Sequence, residues 1–260
     1  MKEHFEKPSG EIIVKQESAV YTYQNQDKRT RWLLITFIIY IVLNVLSGFG
    51  EMYALNTIKQ AAASITEEGI ESSAYEAVLS SQNMVFYLYL TAVLVFVVTA
   101  VLTAKWIMQA NKNARALGTT EVEMTPGWSV GWFFVPIMNL FMPLRGVTQI
   151  WNGSMRAAGK PSPQTMLYVW WGSWIVGNIL GRLTTRVGDR AWEAMEAAQT
   201  EEAFQTALSS YLSSGYVGLL YNVLTIISAL ALLKIIYTVN QAQEQSALPP
   251  AVNAEPEAER

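Results

Sequence analysis

Apolar positions along this chain gather in long unbroken blocks, without the alternation of a half-buried strand. Five stretches carry no Asp, Glu, Lys or Arg: residues 32–50, 77–104, 124–144, 161–181 and 203–233. About 20 apolar residues in helical form cross the hydrocarbon core of a bilayer. Four of the stretches therefore predict spanning helices, over about 32–50, 84–106, 166–187 and 215–238. The remaining one, 124–144, carries Pro126, Pro136, Pro143, Gly127, Gly131 and Asn139. Proline removes a helical donor and clashes with the preceding turn, so a straight span is a poor fit. Broken backbone at membrane depth needs protein or water to satisfy it. This block predicts a re-entrant or interfacial segment within 115–164. Residues 1–30 predict a polar tail, and 244–260, rich in Ala, Pro and Glu, a disordered one. The expected fold is an all-α integral membrane protein with four transmembrane helices.

Two further patterns bear on topology. With four spans and the N-terminus inside, ten Lys and Arg near span ends fall on the inner flanks and four on the outer. Five spans would leave nine against five, so the positive-inside rule separates the two only weakly. Tryptophan favours the membrane–water interface. Four spans put Trp32, Trp106, Trp128, Trp132, Trp151, Trp170 and Trp171 at or near the inner face, leaving Trp192 outside.

An internal repeat points the same way. An offset of 129 residues aligns 74–114 with 203–243 without a gap, and 10 of 41 positions are identical. The matches include Leu79-Ser80-Ser81 with Leu208-Ser209-Ser210, Lys105 with Lys234, and Asn111 with Asn240. A neighbouring offset sets Asn44 opposite Asn178. The pattern predicts two parallel helical hairpins, 31–114 and 165–243, about an axis along the membrane normal. Asn44 and Asn178 would then face each other near that axis. The outer loops, 51–83 and 189–214, each carry five acidic residues. Stretches from Ala61 and from Trp192 predict short amphipathic helices with a solvated face.

Composition narrows the chemistry. Charged residues make up 15% of the 260 and hydrophobic ones 51%. A net charge of −3 offers no basic surface for nucleic acid. With no cysteine and a single histidine, His4, in the polar tail, thiolate sites and histidine-based triads have no material. No metal site, cofactor or catalytic residue is expected, and no carboxylate falls mid-span by this count. An enzyme is the least favoured class.

The most specific string in the chain is NKNARALG at 111–118, followed by GWSVGWFFVPIMNLFMP at 127–143, Ile150-Trp151 and Trp170-Trp171. It resembles the bacterial membrane family catalogued only as domain of unknown function 4328. The resemblance rests on the turn ending Leu117-Gly118, the core of Trp128, Trp132, Pro136, Asn139 and Pro143, and the later paired tryptophans. It covers roughly 93–184, with weaker similarity to the last helix. Leu144 departs from it, standing where an aromatic is more usual. The resemblance implies a membrane protein and brings no activity, substrate or catalytic residue.

Three groups of residues are candidates for function. Arg145 with Asn139, Trp128, Trp132, Pro136 and Pro143 suits a lipid phosphate or another anion, since arginine beside interfacial tryptophans is a phosphate-binding combination. The simpler alternative is an arginine that anchors a kinked interfacial helix. Asn44, Asn178 and Asn222 lie inside spans, where asparagine usually bonds between helices; a polar substrate path is the sharper reading. Ser173, Gly177 and Gly181 form a small-residue stripe for close helix packing or homodimerisation. Gly118 reads as the stop of the second helix.

The favoured function is a non-enzymatic module in the bacterial inner membrane, both termini cytoplasmic, that binds lipid, in particular anionic lipid, or protein. The protein partner is another membrane protein or a second copy. The alternative is a small-solute transporter or channel subunit. In the four-span topology a cysteine introduced at Ser162 resists labelling from outside intact cells; labelling there refutes it.

Overall fold

The computed structural model describes residues 21–68 and 73–248, all helix, turn and loop. In chain order the helices are α1 (Asp27–Glu68), α2 (Ser73–Ala116), the short α3 (Trp128–Gly131), α4 (Met142–Ala157), α5 (Thr165–Glu196) and α6 (Glu201–Ala247). Two 3₁₀ turns, Trp132–Phe134 and Met138–Leu140, link α3 to α4. α1 pairs with α2, α5 with α6, and α6 also packs on α1, so α6 joins the two hairpins. α4 lies across one end, against α2, α5 and α6.

The helices are longer than the apolar blocks predict. α6 has 47 residues, roughly 70 Å at 1.5 Å per residue, more than twice the thickness of a bilayer core. The stretches after Ala61 and Trp192 are not separate amphipathic helices. They continue α1 and α5 without a break, because Ala, Glu and Met-rich sequence has high helix propensity and nothing there stops the backbone. Helix likewise occupies 27–30 and 244–247, at the edges of the two expected tails. The rest of those tails, 1–20 and 249–260, lies outside the described residues. Thr200 caps α6, its hydroxyl accepting from the Ala203 N–H. Gly118, at φ 78, ends α2 in the left-handed conformation that glycine adopts without strain.

Packing divides the bundle into three zones. At one end a large core joins Leu33, Trp106, Ile107, Ile150, Trp151, Met155, Trp170, Ile235 and Val239. There Trp106 is fully buried and donates to Asn240 Oδ1 at 2.9 Å. The segment 21–26 closes this end: Gln24 donates its N–H to Asn113 Oδ1 and accepts from Asn113 Nδ2. Tyr23, beneath it, has its phenol pKa pushed up by burial, with Glu244 and then Asp27 adding to the effect. At the far end Ile58, Ala61, Val78, Met195, Ala207 and Leu208 form a second core. Between the two the pattern inverts. Ile38, Val42, Leu46, Phe86, Leu90, Leu94, Val98, Ile179, Leu183, Leu220 and Val223 are exposed, whereas Asn44, Ser47, Thr99 and Asn222 are buried. An apolar belt around a polar interior suits a hydrocarbon surrounding.

Among the described residues three helices are long and apolar enough to cross a membrane: α1 within Asp27–Ala62, α2 and α6. They point to a membrane protein. α5, expected as the third of four spans, is a single helix but is not among them. Trp170, Trp171, Trp174, Gly177, Asn178 and Arg182 dilute its aliphatic run.

Trp106 fills the centre of the larger core, so Trp106→Ala should cost about 3–5 kcal/mol, as large-to-small core changes do. Thermal unfolding in detergent checks this, with the exposed Leu94→Ala expected near wild type.

Candidate functional site at the Pro/Trp segment

Local sequence shapes the segment between α3 and α4. Gly127 and Thr125 carbonyls start α3, and the Trp128 and Trp132 rings meet tilted by 33° with centroids 4.7 Å apart. Pro136 cannot continue the helix. The Met138 N–H bonds to the Pro136 carbonyl at 2.7 Å with Ile137 at φ 67 and ψ −50 between them. That is a γ-turn of the strained hand, an outlier for a β-branched residue. Asn139 is half-buried and its N–H donates to the Val135 carbonyl at 2.9 Å. Pro143 is buried in the first turn of α4, where its missing N–H costs nothing.

Tryptophans of α5 hold this segment to the bundle. Trp171 donates to the Leu140 carbonyl at 2.8 Å and meets Phe133 edge-on. It also stacks on Trp174, centroids 4.7 Å apart. The apolar tip stays uncovered: Phe134, Ile137 and Phe141 are 80%, 72% and 65% exposed.

Arg145 stands on the exposed side of α4, and its guanidinium bonds the Glu123 carboxylate at 2.9 Å. Both side chains are largely exposed, so screening by water keeps this pair weak. They line an open groove of about 380 Å³ with Phe141, Gln149, Gln164 and Tyr168. Glu121 borders the same groove and pairs with Arg156. The groove thus has one cation facing two carboxylates, an aromatic wall and amide donors. An anion would enter it by taking Arg145 from Glu123.

Of the expected residues Trp128, Trp132, Pro136, Asn139, Pro143 and Arg145, Arg145 lines the groove, and the other five lie in the preceding segment outside its lining. The structure also adds partners that sequence reading missed. Glu123 lies 22 residues before Arg145 with no motif linking them, and Tyr168 reaches the groove from the start of α5. Two polar residues of 111–118 are otherwise engaged: Asn111 and Arg115 both donate to the Met124 carbonyl, fixing the loop that carries Glu123.

The expected intramembrane asparagines separate. Asn44 and Asn178 do not bond each other; each donates to the carbonyl four residues back on its own helix, at Tyr40 and Trp174. Their helices lie on opposite sides of α6, which packs on both. Asn222 is different, donating across helices to the Tyr89 hydroxyl at 2.9 Å. The small stripe of α5 meets α6: an added Cβ at Gly177 or Gly181 would lie 3.5 Å from Leu224 or 3.1 Å from the Tyr221 ring. Ser173 spends its hydroxyl on the α5 backbone.

With this geometry in place, comparison with known proteins is informative. A family model for a domain of unknown function, DUF4328, matches residues 71–241. The chain belongs to that family. The match starts well before 93 and, as the weaker similarity of the last helix suggests, runs on through α5 into α6 as far as 241, including every groove residue named above. No curated protein and no solved structure matches the chain. The DUF4328 match carries no activity with it.

Trp171→Phe keeps the ring and loses the bond to Leu140, leaving a carbonyl unpaired at a cost of about 0.5–1.5 kcal/mol. Hydrogen exchange should quicken at 138–141 in this variant and stay unchanged at Trp106.

Proposed function

We propose that the chain is a multi-pass membrane protein without a catalytic step, whose Pro/Trp segment binds anionic lipid at the membrane surface. The observation that carries this reading is the uncovered tip of Phe134, Ile137 and Phe141 beside the Arg145 groove. Aromatic and aliphatic side chains next to an arginine match the boundary between acyl chains and headgroups. Backbone strain at Ile137 supports it, since such conformations cluster where a surface has work to do.

In this reading α5 is the fourth span and both termini face the cytoplasm of a bacterial inner membrane. Exposed Val176, Ile179, Leu183 and Val187 give α5 a lipid-facing side. Lys105 and Lys234, exposed at the same end of α2 and α6, suit snorkelling to one interface. The hairpins form a parallel repeat; Gln82 and Tyr211, equivalent under the 129-residue offset, bond each other at 2.9 Å, as residues beside a two-fold axis do. A second copy or another membrane protein is the other occupant the patch would suit.

A transporter is the second reading, favoured by the buried polar seam of Asn44, Ser47 and Asn222 within the apolar belt.

Native mass spectrometry of protein released gently from its own membranes tests the proposal. Wild type should carry anionic lipid, Arg145→Ala should lose it, and Glu123→Gln should retain at least as much. Equal lipid content in Arg145→Ala would contradict the reading, and added protein mass in its place would favour the partner.

A further inference from the structure

Sequence places Glu51 at the start of an outer loop, but α1 does not end there. It runs on to Glu68, so Glu51 sits inside a helix with Asn44 and Ser47 on the same face. Glu51 is half-buried and bonds to nothing among the described residues. It stands one helical turn past Ser47.

The groups around it are short of partners. Ser47 is fully buried and its hydroxyl has no hydrogen bond. Asn222 is 3% exposed and its Oδ1 is likewise unpaired. A Cβ on Gly48, beside Ser47, would lie 4.0 Å from Asn222 Cβ, so the two helices meet at this level. The amide of Asn222 is oriented, because its Nδ2 donates to Tyr89 Oη and Oδ1 is turned the other way. Leaving a buried polar oxygen unpaired is costly, and such an atom in a folded bundle calls for an explanation.

We propose that Glu51, Ser47 and Asn222 form a binding site for a small monovalent cation of sodium's size between α1 and α6. All three ligands are hard oxygens, which suits an alkali cation and not a soft metal. Their charge sums to −1, which a monovalent ion balances. Calcium sites of higher affinity gather several carboxylates, and no group of three or more His, Cys, Asp or Glu residues stands together among the described residues. Tyr89 is a positioning residue, holding the Asn222 carbonyl oxygen toward the cation. Glu51 is partly exposed, so its carboxylate is reachable from the surface of the bundle. This site is separate from the Arg145 groove and does not depend on lipid binding there.

The test uses full-length protein in nanodiscs, titrated with sodium chloride against choline chloride at constant ionic strength. Thermal unfolding and saturation binding of radioactive sodium are both read. Wild type and Arg145→Ala should show saturable binding and a sodium-dependent rise in Tm. Glu51→Gln, keeping the shape and removing the charge, should weaken apparent affinity by more than roughly tenfold, as ligand charge sets cation affinity. Tyr89→Phe should also weaken it, through loss of the Asn222 restraint. If Glu51→Gln fails to fold, Ser47→Ala serves in its place, with weakened binding expected. Absence of saturable sodium binding in wild type overturns the proposal, as does unchanged affinity in a folded Glu51→Gln.

Discussion

Polar groups at the middle of this bundle have few partners outside it, because the belt around them exposes mainly aliphatic and aromatic side chains. That constraint organises the rest. Helices satisfy their own backbones, and Thr91, Thr99, Asn44 and Asn178 in the belt bond to carbonyls of their own helix. Side chains that cannot do so are drawn to the seam between α1, α2 and α6, where Asn222 meets Tyr89 and Gln82 meets Tyr211. Beyond the belt, at both ends, the usual polarity returns and apolar residues form buried cores.

The larger of those cores explains why the Pro/Trp segment has a defined shape despite its broken backbone. α4 is laid across the ends of α2 and α6, with Val147, Ile150 and Met155 fully or almost fully buried. From that base the chain between α3 and α4 is held by a tryptophan bond and aromatic contacts, while its tip remains uncovered. The tip is apolar and its base is firm, and beside it Arg145 is paired with Glu123.

Much of the helical architecture was legible in the sequence, since charge-free blocks report hydrocarbon depth directly. The Pro/Trp segment was legible too, because its prolines forbid a straight helix, and the Asn-Ala-Arg-Ala-Leu-Gly stop before it appears as a left-handed Gly118. Helix ends were not. Nothing in the 51–68 stretch breaks a helix, and reading Glu51 as a loop residue treated the first charge after an apolar block as a boundary. The pairing of Asn44 with Asn178 failed for a related reason: sequence offset aligns positions in two hairpins but does not say that α6 lies between their helices. Glu123 could not be found from sequence, since its link to Arg145 exists only through the folded loop.

Depth is the most direct test of the account, and a chain without cysteine accepts single spin labels free of background. Labels at Leu94, in the belt, and at Phe134, on the tip, should both be accessible to dissolved oxygen and shielded from a water-soluble nickel complex in nanodiscs. A label at Gln149, in the groove, should show the reverse. Nickel access at Leu94 and Phe134 equal to that at Gln149 would contradict a membrane-embedded belt with an inserted Pro/Trp tip.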